Sequence, residues 1–404
     1  MNTPAKLVAL LLLLTLNPQL STVFAQGSLT PPGAPAPTMK TLDQIEARTP
    51  ISQLPFAINT GGSYYLTGNL STGASNAIVI AASGVTLDLS GFTISSMVAN
   101  AANGGTGILL VSGLSDISIL NGHILGGVTN NGSGVYSGSG FGSGIFYSGI
   151  ALVNTRVSSV SVAGCLHYGI FLSGNSTVVE ACMVRTVGNL GIFASTISGS
   201  VAVDCGGYAI FGIQVSDCRG EGAGTGYGVY ANNALNCYGS STLVGLYADN
   251  TAQSCYGFSS GDTGLYANNT ALNCYGASSS GIGVNAAIAQ NCYGASSSAT
   301  GLNAGAAQNC QGYSTSGGPG ISAETASNCY GQGLIRGISA NVAISCSGRS
   351  LGGSYGVFAT SIANTCYGIS ATGTGLGANI AIGCIGVNNS GPSVLASFKY
   401  NMPP

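Results

Sequence analysis

The chain has 404 residues, contains no tryptophan and is poor in charge. Only 5% of its residues are charged, and no lysine occurs between Lys40 and Lys399. Binding to a nucleic-acid backbone depends on clustered lysine and arginine side chains. The composition therefore argues against nucleic acid as a partner.

Long apolar runs are also missing. The run Leu7–Leu14 follows Lys6, and it is far shorter than the roughly 20 residues that a membrane-spanning helix needs. Val23, Phe24 and Ala25 provide a plausible cleavage site, so residues 1–25 have the pattern of a secretory signal peptide. We therefore expect a secreted or periplasmic protein that does not span a membrane.

Cysteine is absent before Cys165 and then recurs about every 18 residues to the end of the chain. A fixed period of this length is typical of a solenoid. The thirteen cysteines are Cys165, Cys182, Cys205, Cys218, Cys237, Cys255, Cys274, Cys292, Cys310, Cys329, Cys346, Cys366 and Cys384.

Each cysteine closes a similar segment, as in "GVYANNALNC", "GLYANNTALNC" and "GLNAGAAQNC". The shared frame is glycine, an aliphatic residue, a variable residue and alanine, followed by a second alanine three residues before the cysteine. Short strands with glycine-rich corners cannot bury a face alone, but stacked coils can. Strand alternation places the aliphatic residue, the alanines and the cysteine inside. The pattern predicts a parallel β-helix with about 18 residues per coil in its C-terminal part.

The segments "GSYYLTGNL" and "GVTLDLSGFTI", together with these repeats, resemble the pectate-lyase-like superfamily and secreted bacterial β-helix repeat proteins. The resemblance implies a right-handed parallel β-helix. A left-handed β-helix also has about 18 residues per coil, but it is built from aliphatic hexapeptides that are not found here.

The expected organisation has four parts. They are a signal peptide over residues 1–25, a Pro-rich linker and capping helix over 26–55, the β-helix over 56–395 and a tail over 396–404. Thr41 and Gln44 have the spacing of a capping box, which predicts the short helix.

The cysteines are expected to be free, buried thiols that fill space at a corner. Disulfides are the alternative in an exported protein. A straight row of thiols does not give the tetrahedral geometry of thiolate metal sites, so neither a metal nor a cofactor is expected. The asparagine that often precedes the cysteine tolerates a left-handed backbone, which predicts an asparagine ladder at that corner.

The superfamily that this chain resembles includes enzymes that cut acidic polysaccharides, so the resemblance implies a possible catalytic role. The sequence motifs of those enzymes are not found in this chain. Asn154 and Thr155 are followed by Arg156, no two aspartates are adjacent, and neither histidine lies between glycines. The remaining catalytic candidates are Asp204, Asp217 and Arg219. If both aspartates occupy the position before a cysteine, they lie one coil apart, at about the 5 Å that separates the carboxyl groups of retaining glycosidases. The alternative is that both are turn residues.

The variable position between the aliphatic residue and the first alanine should face outward. In consecutive coils it holds an aromatic ribbon, formed by Phe171, Phe193, Phe211, Tyr230, Tyr247 and Tyr266. A contiguous exposed apolar surface often marks an interaction site, although stacked rings also stabilise neighbouring strands.

The sequence thus favours an exported, non-catalytic scaffold whose ribbon binds polysaccharide or another cell-surface partner. The alternative is a polysaccharide lyase or glycoside hydrolase. The sequence carries no signal for an oligomeric state.

Overall fold

A computed structural model describes residues 47–73, 75–147 and 149–402. The described chain is a parallel β-solenoid of about 18 turns with about 19 residues per coil. Each strand pairs in parallel with the equivalent strand one coil away, as Leu265–Leu272 does with Val284–Gln290. The predicted all-β parallel β-helix is therefore confirmed.

The parallel pairs form three series, which we call faces A, B and C. Short strands of face A are Phe56–Ile58, Ile78–Ile80, Thr106–Leu110, Ser143–Tyr147 and Tyr168–Phe171. Strands of face B are Thr49–Ile51, Gly62–Leu66, Val85–Asp88 and Thr177–Glu180. Strands that run from face A into face B are Ile192–Ser198, Ile210–Ser216, Val229–Leu235, Leu246–Gln253, Leu265–Leu272, Val284–Gln290, Leu302–Gln308, Ile321–Ser327, Arg336–Ile344, Tyr355–Asn364, Thr374–Ile382 and Val394–Tyr400.

Face C begins with short strands and continues to the last coil. Ser115–Leu125 and Val153–Cys165 run from face B into face C. The other strands of face C are Leu70–Thr72, Thr93–Ser96, Met183–Val187, Val201–Cys205, Arg219–Gly222, Tyr238–Ser241, Tyr256–Ser259, Tyr275–Ser278, Tyr293–Ser296, Gln311–Ser314, Tyr330–Gly333, Ser347–Ser350, Tyr367–Ser370 and Ile385–Asn388.

Three elements depart from the regular winding. Ala101–Asn103 forms a 3-10 turn. Gly127–Asn130 and Tyr136–Ser139 form an antiparallel hairpin that pairs separately from the solenoid. Gly391–Pro392 pairs antiparallel with the last strand of face C.

One coil shows how the sequence frame fills the core. Leu265, Ala267, Ala271 and Cys274 are each at most 3% exposed, whereas Tyr266 is half-buried on the outer surface. The same inward aliphatic, alanine and cysteine positions recur from coil to coil. The inward and outward positions expected from strand alternation are therefore confirmed.

Two glycines in most of the C-terminal coils let the end of face C approach the start of face A. A β-carbon on Gly264 would lie 2.4 Å from the carbonyl oxygen of Ala277, and one on Gly276 would lie 2.2 Å from that of Gly283. Real β-carbons do not come this close to backbone atoms. The glycine before the aliphatic residue and the glycine after the tyrosine are thus required by the same corner.

The corner between faces B and C turns through a residue with a left-handed backbone. Asn273, Asn291 and Asn309 have a φ of 53°, a conformation that asparagine tolerates better than most residues. The side-chain amide of Asn291 donates to Oδ1 of Asn273 at 3.1 Å, and that of Asn309 donates to Asn291 at 3.2 Å. The predicted asparagine ladder is confirmed, and we call it the Asn corner.

The residue after this corner uses its thiol as a hydrogen-bond donor. Sγ of Cys274 lies 3.2 Å from the carbonyl oxygen of Leu272 and 3.3 Å from that of Ala252 in the preceding coil. Ser200 takes this position in one coil, where its hydroxyl donates to the Ser198 carbonyl oxygen at 2.9 Å. From Cys182 onward, this position therefore holds a small side chain that can donate a hydrogen bond, whereas the two preceding coils have Val160 and Gly122 there.

All thirteen thiols are buried, as predicted. They do not form a single row, however. Cys205 pairs in register with Val187, and Val187 with Cys165, at the far end of face C. The row at the Asn corner instead runs from Cys182 through Ser200 to Cys218 and onward.

The ends of the solenoid differ from the predicted limits of 56 and 395. The first strand, Thr49–Ile51, already pairs with Gly62–Leu66, and the last strand, Val394–Tyr400, pairs with Thr374–Ile382. The signal peptide and the helix predicted around Thr41 and Gln44 lie outside the described residues.

Across the part of the chain that the structure describes, no helix has the length and apolar character needed to cross a membrane.

Candidate functional site

The aromatic ribbon lies on the outer surface of face A. Strand pairing places its six residues in one register, and successive ring centroids are 4.7 to 5.2 Å apart. Three more tyrosines, Tyr168, Tyr208 and Tyr227, pack against the ribbon from the preceding corner. The predicted row of rings is therefore present.

The rings of the ribbon use much of their surface on one another. Tyr230, Tyr247 and Tyr266 are stacked with interplanar angles of 2° and 3°, so neighbouring rings cover one another's faces. The hydroxyl of Tyr230 donates to Oδ2 of Asp249 at 2.7 Å, and the hydroxyl of Tyr247 accepts from Asn268 at 3.2 Å. The hydrogen bond to Asp249 raises the pKa of Tyr230, which keeps this phenol protonated.

A second row of rings lies on face C, directly after the cysteines. Successive centroids are 5.1, 4.7 and 4.8 Å apart, with interplanar angles of 3 to 10°. We call this row the tyrosine column; it consists of Tyr238, Tyr256, Tyr275 and Tyr293.

The hydroxyls of the tyrosine column are free to bind a partner. In the described part of the chain, no protein group forms a hydrogen bond with any of these four hydroxyls. Burial raises the pKa of Tyr256 and of Tyr293, so these phenols stay neutral and keep their protons. Each hydroxyl can therefore both donate and accept a hydrogen bond.

The tyrosine column and the Asn corner form the two sides of a groove. Its volume is about 760 Å³, and Asn236, Asn273 and Asn291 line the side opposite the tyrosines. Asp217 and Arg219 lie at one end. The groove joins apolar ring surface to amide and hydroxyl groups that can exchange hydrogen bonds with a ligand. We call it the face C groove.

The candidate catalytic aspartates do not form a pair. Arg219 pairs in register with Val201 at the start of the face C strand. Asp217 lies two residues before Arg219, so it occupies the position that Gly199 has in the preceding coil. Asp204 lies five residues beyond Gly199, at the other end of the face C strand. At about 3.3 Å per strand residue, the two carboxyl groups are more than about 10 Å apart.

The expectation that Asp204 and Asp217 occupy the same position one coil apart is therefore wrong. One coil has Ser200 in place of the cysteine at the Asn corner. Cys205 and Cys218 therefore lie at opposite ends of face C, and the aspartates that precede them are not equivalent. The separation also exceeds the 5 to 9.5 Å or so at which paired carboxyl groups act in glycosidases.

Asp217 and Arg219 are held by local partners. The amide of Asn236 donates to Oδ1 of Asp217 at 3.1 Å, so this aspartate begins the Asn corner. Nε of Arg219 donates to Oε1 of Glu221 at 2.8 Å, and its guanidinium carbon lies 5.5 Å from the Tyr238 ring centroid. These contacts support the interpretation of both residues as structural.

Asp204 has partners that the sequence did not indicate. Its Oδ1 accepts from Nδ2 of Asn130 at 2.6 Å and from the hydroxyl of Tyr136 at 2.9 Å. Both donors belong to the hairpin, about 70 residues earlier in the chain. No local pattern connects segments so far apart, so the sequence alone does not predict this contact.

Within residues 47–402, apart from the two undescribed positions, no three His, Cys, Asp or Glu side chains form a group able to hold a metal ion. The two histidines, His123 and His167, are both exposed.

These features define a parallel β-helix protein with two rows of aromatic rings and one long groove. Comparisons with protein-family models and with curated proteins gave no match. Among solved structures, the chain is similar to the A-module of a mannuronan C-5 epimerase from Azotobacter vinelandii, with 13% sequence identity and a TM-score of 0.31. The match covers 85% of this chain and 89% of that module.

Proposed function

We propose that this protein is an exported, non-catalytic scaffold that binds an extended polysaccharide chain in the face C groove. The observation that carries the proposal is a straight row of tyrosines whose hydroxyls have no hydrogen-bond partner among the described residues, beside a ladder of amides that lines the same groove. A polyhydroxylated chain can exchange hydrogen bonds with both sides at each coil. Coils repeat about every 4.8 Å, so the same contacts recur along the groove.

The charges of the groove favour a neutral partner. Arg219 is paired with Glu221, and Asp217 accepts a hydrogen bond from Asn236. The remainder of the groove is lined mainly by tyrosine, asparagine and serine, together with the buried cysteines. Asp217 is the one lining residue whose charge has no ion-pair partner among the described residues, so the groove disfavours acidic polymers and suits a neutral one.

The same reasoning makes the aromatic ribbon a weaker candidate than the groove. The hydroxyls of Tyr230 and Tyr247 are already bonded to side chains of the same chain, whereas those of the tyrosine column have no hydrogen-bond partner among the described residues. The ribbon supplies a matched control, because Phe211, Tyr230 and Tyr247 are three consecutive rings in contact on another face of the same solenoid.

The experiment compares two triple variants of the full chain on immobilised cellulose, chitin, starch and pectin. Replacement of Tyr256, Tyr275 and Tyr293 by Ser should lower the retained fraction at least about tenfold, because central aromatic contacts dominate binding surfaces. Replacement of Phe211, Tyr230 and Tyr247 by Ser should leave retention unchanged. Release of soluble sugar should remain at background for all proteins.

Circular dichroism of both variants must match that of the parent protein. If the ribbon variant alone loses retention, the binding surface is face A. Retention of neither the parent nor the variants on any polymer would refute the proposal, and release of product by the parent would establish an enzyme instead.

A further inference from the structure

The hairpin of Gly127–Asn130 and Tyr136–Ser139 lies against the end of face C. Tyr136 packs over Gly188 and Gly206, where added β-carbons would lie 3.1 and 2.9 Å from its side chain. The loop of the hairpin is closed by its own side chains, since Oδ1 of Asn131 accepts from the backbone amide of Ser133 at 2.9 Å. This hairpin converts an open strand end into a pocket.

The pocket beneath the hairpin has a volume of about 380 Å³. Asp204 lies in its wall with Oδ1 held by Asn130 and Tyr136, which fixes the orientation of the carboxylate. Burial and the hydrogen bond to Asp204 raise the pKa of Tyr136, so the phenol remains a donor to this carboxylate. Oδ2 has no partner among the described residues.

Arg185 lines the same pocket from the neighbouring strand, where it pairs in register with Val203. Within the described residues, its exposed guanidinium forms no ion pair, with Asp204 or with any other carboxylate. Thr129 and Thr186 add two hydroxyls to the lining, and neither has a hydrogen-bond partner in the described part of the chain.

We infer that this hairpin pocket binds a single neutral sugar residue. The Asp204 carboxylate would repel a small anion, and the Arg185 guanidinium would repel a small cation. The pocket therefore disfavours both kinds of ion. A sugar hydroxyl donates to a carboxylate and accepts from a guanidinium at the same time. A vicinal pair of hydroxyls can therefore satisfy both groups without carrying charge.

The hairpin pocket is separate from the face C groove. It lies at the opposite end of the face C strands, and Gly127–Asn130 of the hairpin contributes to its lining. Its volume of about 380 Å³ suits a free sugar or the end of a chain, whereas the groove of about 760 Å³ suits the interior of a chain. The inference does not depend on the proposed function, and either can fail without the other.

The test measures binding of D-glucose, D-galactose and D-mannose to the full chain by saturation-transfer NMR and calorimetry, with glucuronic acid and glucosamine as charged probes. At least one neutral sugar should bind in the millimolar range, and more tightly than either charged probe. Arg185→Gln and Asp204→Asn should each weaken binding at least about fivefold. Tyr136→Phe should weaken it by a smaller factor, because Asp204 keeps its bond to Asn130.

Two controls separate the pocket from the rest of the molecule. Arg219→Gln and the triple serine variant of the tyrosine column should leave sugar binding unchanged. Binding of none of the neutral sugars, tighter binding of a charged probe, or an equal loss in Arg219→Gln would each overturn the inference. Because the Arg185 side chain is exposed, Arg185→Gln tests the pocket without disturbing the core.

Discussion

At the scale of the residue, the position after the Asn corner combines two demands. It is inside the solenoid, so it must be small, and it lies beside the carbonyl oxygen of the residue two before it and, in several coils, one from the preceding coil, as Cys274 does with Leu272 and Ala252. Cysteine meets both demands, because its thiol packs as an apolar group and donates a weak hydrogen bond. Ser200 shows that a hydroxyl can take over the second role.

Burial also sets the reactivity of these thiols. Burial raises the pKa of Cys182 to about 11 and that of Cys165 to about 12. An unperturbed thiol has a pKa near 8.5, so it becomes largely thiolate by pH 9, whereas Cys182 would be only about 1% thiolate. Because the thiolate is the nucleophile, these cysteines should stay unreactive as the pH rises.

Because all thirteen thiols are buried and out of reach of a reagent, we predict that a thiol reagent labels few cysteines of the native protein at pH 7 and scarcely more at pH 9. After denaturation without reductant, the reagent should label nearly all thirteen. A low count in the denatured protein would reveal disulfides and contradict the prediction of free thiols.

At the scale of the element, each coil depends on a left-handed turn at the Asn corner. A residue with a β-carbon is less stable there by about 1–2 kcal/mol, and a β-branched residue is worse. Ala181 and Thr365 nevertheless adopt this conformation, with φ of 51° and 54°. Stacking of the coils thus outweighs local preference at single positions, while asparagine makes the turn favourable at Asn236, Asn273, Asn291, Asn309 and Asn328.

The substitution Asn291→Val should lower the free energy of unfolding by about 2 kcal/mol. Valine is β-branched at a φ of 53°, and it removes the side-chain hydrogen bonds to Asn273 and Asn309. Asn291→Gly removes the same bonds but adopts the turn freely, so its loss should be under about 1 kcal/mol. The midpoint of urea unfolding measures both changes, and equal shifts would show that the turn conformation is unimportant.

At the scale of the whole molecule, the solenoid is a one-dimensional stack in which each coil contacts mainly its neighbours. Among the described residues, the last strand, Val394–Tyr400, pairs along the stack only with Thr374–Ile382 and leaves Leu395, Phe398 and Tyr400 more than half exposed. Lys399 lies in register with the inward Ala381, and its ammonium group donates to the Val394 carbonyl oxygen at 2.8 Å. The final coil is thus less well packed than the interior.

Hydrogen exchange should therefore follow position along the stack. Amides in coils around Leu265–Leu272 are paired on both sides and should exchange slowest, and those of Val394–Tyr400 should exchange fastest among the strands. Mass spectrometry of peptides after exchange measures this gradient. Uniform protection from end to end would show that the solenoid opens only as a single unit.

The sequence by itself determined the parallel β-helix, the inward cysteines, the left-handed asparagine ladder and the register of Phe171 to Tyr266. It could do so because the neighbour of each residue in a solenoid lies one period along the chain, so spacing reports contact directly. Only the tertiary structure decided which corner Asp204 occupies, because one coil carries Ser200 and the period no longer identifies the position. The hairpin contact from Asn130 and Tyr136 to Asp204 spans about 70 residues outside any repeat. The free hydroxyls of the tyrosine column likewise became visible only once neighbouring side chains were in place, since hydrogen-bond partners depend on geometry that periodicity does not encode.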